Sequence, residues 1–109
     1  MLLTLLLLAA ATPAPVDDTA YLADCATYAT PQVCRCIADR LQTSSDGRLM
    51  LELTAAKAAS SGLTDEQNAA AVAALRQRYG IPDGEAVGPR LDAVMDSATA
   101  VCGLDARDQ

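Results

Sequence analysis

The sequence predicts an all-α domain, a compact bundle of about five short helices stapled by two disulfides. Three observations lead there. Apolar residues recur at helical spacing in successive segments bounded by cap or turn residues, and no segment alternates as a strand would. Four cysteines, Cys25, Cys34, Cys36 and Cys102, stand in a 109-residue chain that has no histidine. They follow an apolar leader at residues 1–11, a combination that predicts export to a compartment where thiols pair.

The leader, almost wholly Leu and Ala, has the length of a signal-peptide core, whereas a spanning helix needs about 20 apolar residues. Small residues at Ala9 and Ala11 place cleavage after Ala11, with Ala14 as a later alternative that Pro15 makes poorer. The segment before the apolar core carries no Lys or Arg. Pro13 and Pro15, then Asp17 and Asp18, argue against a buried core helix here. The predicted organisation is a signal peptide at 1–11 and one domain at 12–109, with no stable membrane insertion after cleavage. Leu22-Ala23-Asp24-Cys25 has some likeness to a lipoprotein box, but Asp24 is the wrong residue before the cysteine, and no lipid anchor is expected.

The first helix is predicted from the Asp17-Asp18 cap to about Ala29, with Tyr21, Leu22, Cys25 and Tyr28 near one face. Thr30 as N-cap and Pro31 at the first helical position start the second, whose stripe is Val33, Cys34, Ile37 and Leu41, with Cys36 on its flank and an end near Thr43. Ser44-Ser45-Asp46-Gly47 reads as a turn that caps a third helix with Leu49, Met50, Leu53 and Ala56 at helical spacing. Ser60-Ser61-Gly62 stops it. Thr64 and Gln67 have capping-box spacing and open a fourth helix to about Tyr79, closed by a left-handed Gly80. Residues 81–88 form a connector with a turn at Pro82-Asp83-Gly84, and Pro89 starts a last helix striped by Leu91, Val94, Met95, Ala98, Val101 and Cys102.

This map constrains the sulfur pairing. Four cysteines allow three connectivities. Cys34 and Cys36, two positions apart on one helix, point about 200° away from each other, which disfavours a bridge between them. Cys25–Cys34 across the turn near Thr30, with Cys36–Cys102, is slightly favoured over Cys25–Cys36 with Cys34–Cys102. Either pairing ties the first, second and last helices together. Large apolar side chains are few, Phe and Trp are absent, and Ala is abundant, so the core is small and the cross-links have a structural task. Close helix approach also leaves no large ligand cavity.

The formal charge of −6 and the shortage of aromatic residues, only Tyr21, Tyr28 and Tyr79, exclude a nucleic-acid surface. Without histidine there is no Ser-His-Asp or Cys-His arrangement, and no catalytic residue is predicted. Asp92 and Asp96 share a helix face but read as a solvated flank; Arg35 and Asp39 read as an exposed i, i+4 pair, and Asp65 and Glu66 as helix-start acids. No metal site or cofactor is predicted: zinc sites favour C-x2-4-C spacing, and Met50 and Met95 fit apolar stripes. What remains is a periplasmic or secreted, non-enzymatic binding or envelope-interaction module, with a protein or small molecule as partner. The alternative is a thiol-redox or Cu(I)-handling protein using Cys34 and Cys36, where Arg35 and the early helical turns favour thiolate.

In cysteine order, C-x8-C-x-C followed by a distant cysteine on a terminal helix, the chain resembles small exported four-cysteine helical proteins of bacteria whose function is unknown. The likeness spans most of the mature chain and implies the same exported, stapled helical fold. The C-x-C step is also similar to that of plant lipid-transfer proteins, which carry twice as many cysteines around a lipid tunnel. Neither likeness transfers a functional residue.

Overall fold

The computed structural model describes residues 14–103, and the predicted leader at 1–11 lies outside the described residues. Among the described residues five α-helices follow one another: α1 (Thr19–Cys25), α2 (Pro31–Leu41), α3 (Ser45–Ala58), α4 (Asp65–Arg78) and α5 (Val87–Cys102). Single 3-10 turns at Ser60–Gly62 and Gly84–Ala86 punctuate the connections, and the described residues contain no strand. The all-α bundle read from the sequence is the fold of the chain.

α1 is shorter than its apolar pattern suggested. Asp17 rather than Asp18 makes the side-chain bonds at its start, accepting from the Thr19 amide at 3.0 Å and the Thr19 hydroxyl at 2.7 Å. After Cys25 the backbone tightens into turns, with Thr27 N–H donating to Asp24 O at 3.1 Å and Tyr28 N–H to Cys25 O at 3.0 Å. The chain must reverse there to meet α2, which begins where cap chemistry places it. Thr30 Oγ1 accepts from the Val33 amide at 3.2 Å, and Pro31 occupies the first turn, where no N–H is required. Cys34, Ile37, Ala38 and Leu41 form the buried face of α2, and the helix ends at Leu41, two residues before the predicted Thr43.

α3 is the helix on which the others converge, packing against α1, α2, α4 and α5. Leu49 and Leu51 are both 0% exposed. Two positions along a helix separate side chains by about 200°, so α3 must be covered on opposite sides. Leu51, which the single-stripe reading omitted, joins Tyr21, Cys25, Cys34, Ile37, Ala38, Leu41 and Ala98 in a first core cluster; Leu49 joins Leu75 and Ile81 in a second. Ser44 Oγ caps α3 by accepting from Gly47 N–H at 3.0 Å. Gly47 is there for a second reason, because a Cβ built on it would lie 2.1 Å from Leu41 O. The first turn of α3 rests backbone to backbone on the end of α2.

α4 rests mainly on α3 and buries only Leu75. Its start is the capping box of Thr64 and Gln67, with both reciprocal bonds formed at 3.1 and 2.9 Å. Its end is a Schellman motif: Gly80, at φ 70°, donates to Gln77 O at 3.2 Å, and Ile81 N–H reaches Arg76 O at 2.9 Å. Ile81 then packs with Leu75, which explains why a residue read as part of a connector is 2% exposed. α5 begins at Val87, two residues before Pro89, since the 3-10 turn capped by Asp83 leads directly into it and a proline is tolerated among the unpaired first-turn amides. Of its predicted stripe, Ala98 is buried, Leu91, Val94, Met95 and Cys102 pack at core edges, and Val101 is 57% exposed.

Candidate functional site

The four cysteines gather where α1, α2 and the end of α5 meet. Cys25 is bonded to Cys34 across the α1–α2 reversal, with Cα atoms 5.8 Å apart, and Cys36 to Cys102 with Cα atoms 5.7 Å apart. The tight turns after α1 lay Cys25 beside the first turn of α2. Cys36, on the other side of α2 from Cys34, faces the carboxyl end of α5. The Cys34 and Cys36 dithiol of the alternative reading is thus divided between two bridges, and no cysteine among the described residues is free.

Beside the bridges lies an open groove of about 740 Å³, mostly apolar, lined by Leu22 and Ala26 of the α1 end and by Pro31, Cys34 and Cys36 of α2. Arg35 and Asp39 are its charged lining residues. Arg35 pairs with Asp18 at 3.0 Å and with Asp39 at 3.6 Å. The i, i+4 pair was visible in the sequence; the Asp18 contact, which fastens the segment before α1 to α2, was not. Pairs this exposed contribute little energy each.

That segment has a second attachment. The Gln42 side-chain amide donates to Val16 O at 2.7 Å and accepts from Val16 N–H at 3.0 Å, a two-point clamp on the backbone of one residue. Arg48 donates to Gln42 O at 3.0 Å, satisfying a carbonyl past the end of α2. On the far side of α3, Glu52 accepts from Arg78 at 2.9 Å and from the Tyr79 hydroxyl, and Arg90 holds Asp46 through two bonds at 2.9 and 3.3 Å. Partial burial and the bond to Glu52 push the Tyr79 hydroxyl up to about 12. The Tyr21 hydroxyl is buried without a hydrogen-bond partner, and burial, followed by the nearby Tyr28 and Asp24, pushes it well above the ordinary phenol range. No short-range signal marks Gln42, Glu52 or Arg90, whose partners lie 26 to 44 residues away.

Asp92 and Asp96 are exposed on α5, while Met50 and Met95 pack at the edge of the first cluster. Asp65 and Glu66 occupy the first turn of α4. The described residues contain no group of three or more His, Cys, Asp or Glu side chains able to hold a metal ion, and no helix long and apolar enough to cross a membrane. These features define a disulfide-stapled all-α domain. The chain matches no family model, no curated protein and no solved structure.

Proposed function

We propose that this chain is an exported helical module that acts outside the cytosol by binding a protein or small-molecule partner, and not by catalysis. The observation that carries the reading is that all four sulfurs are joined in two bridges between helices. Cytosolic thiol pools reduce such bonds, whereas the periplasm and the extracellular space preserve them. A core with eleven buried apolar residues among the described residues is of the kind that small exported domains supplement by cross-linking. The absence of histidine from the whole sequence removes the commonest general base. Among the described residues, Asp18, Asp46 and Glu52 are engaged in bonds between elements, which favours a structural use of these carboxylates over acid-base work.

Cell fractionation combined with a thiol count on the isolated protein tests this reading. The expected result is a chain beginning at Thr12 or Pro15, found outside the cytosol, with no free thiol. A stable cytosolic protein carrying four reduced cysteines would overturn it. For the partner, the oxidised mature domain immobilised against envelope extract is expected to retain a component that the reduced and alkylated domain does not.

A further inference from the structure

The two bridges stand in different surroundings. Cys25 is 0% exposed and Cys34 2%, both inside the first core cluster, so little of either residue is open to an external reagent although Cys34 borders the groove. Cys36 and Cys102 are half-buried. Cys36 lines the same groove as Cys34 and is the more exposed of the two. Cys102 is the last residue of α5, between the exposed Val101 and Gly103, which leaves the helix at φ 80°. Disulfide exchange requires a thiolate to approach a sulfur directly, so access separates bonds of otherwise similar chemistry.

We infer that Cys36–Cys102 is a thiol–disulfide exchange site that accepts external dithiols, while Cys25–Cys34 remains closed as the permanent staple. One thiolate of the dithiol attacks a sulfur of the bridge; a mixed disulfide forms as the old S–S bond breaks, and the other cysteine leaves as a thiolate. The second thiolate of the dithiol then displaces the remaining cysteine. Two electrons pass from the dithiol, which becomes a disulfide, to Cys36 and Cys102, which also take its two protons. The thiol-active pair is thereby Cys36 with Cys102, and not Cys36 with Cys34.

Opening this bond frees the carboxyl end of α5 from α2. Farther back along α5, Ala98 and the edge packing of Val94 and Met95 still hold the helix against the first cluster, so only its last turn depends on the bond. The α1–α2 hairpin keeps its own cross-link. Reduction therefore acts locally, loosening the last turn of α5. The site depends on local access to sulfur and goes beyond the binding reading: failure to find a partner leaves it intact, and equal reactivity of the two bridges leaves the binding reading intact.

The test uses the oxidised full chain. It is treated with graded dithiothreitol, quenched, alkylated and mapped by mass spectrometry after proteolysis; cleavage after Arg35 separates Cys34 from Cys36. The expected result is labelling of Cys36 and Cys102 at least about tenfold faster than of Cys25 and Cys34. Hydrogen exchange of the half-reduced form should show lost protection near residues 98–102 with α1 unchanged. Equal labelling rates, earlier opening of Cys25–Cys34, or loss of protection spreading to α1 at the same step would overturn the assignment.

Discussion

The two sides of α3 are built differently. On one side eight buried residues from α1, α2, α3 and α5 form a continuous cluster, and two disulfides bind its helices. On the other, Leu49, Leu75 and Ile81 form a cluster of three, and α4 is held by that patch, by the Glu52 bonds to Arg78 and Tyr79, and by its own caps. α4 supplies good local propensity, with alanine at five of its positions, but little burial. A helix can thus be well specified by its own residues and still be weakly attached, because capping and propensity are satisfied within one turn while packing needs a partner.

The largest expected effect breaks the stronger side. In the loop-entropy picture the short bridge is worth about 2.5 kcal/mol and the long one, spanning 66 residues, about 4 kcal/mol. The paired change Cys36→Ser with Cys102→Ser is expected to cost about 4 kcal/mol by chemical denaturation, whereas exposed Asp92→Ala should fall within about 0.5 kcal/mol of the parent. Equal stability of the two variants would deny the cross-link its role.

Gly47→Ala tests the joint shared by both sides. Its Cβ would meet backbone atoms of Leu41 within 2.7 Å, so α2 and α3 must separate, at a cost of about 2–3 kcal/mol. A neutral result would show that the contact relaxes freely. On the weaker side, Leu75→Ala is expected to cost about 2 kcal/mol and to remove hydrogen-exchange protection from α4 while α1 and α2 keep theirs; uniform loss across all helices would mean that the two sides unfold as one.

Tyr21→Phe moves the other way. It deletes a buried hydroxyl that has no partner and keeps the ring in the first cluster, so the variant should gain about 1 kcal/mol; a loss of that size would show that the hydroxyl is bonded. The smallest effect concerns alkaline pH. A Tyr79 hydroxyl raised to about 12 favours the folded, protonated form, so its contribution is whole below about pH 10 and is lost as pH rises through 12. Tyr79→Phe should flatten the decline of stability across that window, and an unchanged slope would refute the assignment.

Features decided within a few residues were legible in the sequence. Thr30 with Pro31, Ser44, the Thr64 and Gln67 box and the left-handed Gly80 need only their immediate neighbours, and each stands where its chemistry placed it. Features decided by distant segments were not. Leu51 is buried because α3 is covered on two sides, Ile81 because the Schellman turn folds it onto Leu75, and Gly47 because α2 ends against it. α1 stops early because the chain must reverse to join Cys25 to Cys34. Of the candidate site, the helical phase of Cys34 and Cys36 disfavoured a bond between them, but the groove beside them and the unequal exposure of the two bridges depend on how α1 and α5 close over α2.

The central claim is that cross-linking compensates for a small apolar interior. Thermal unfolding of the oxidised chain beside the same chain with all four cysteines reduced and alkylated measures it directly. The account predicts a melting temperature lower by on the order of 20 °C or more after reduction, or no cooperative transition at all. Coincident melting curves would contradict it.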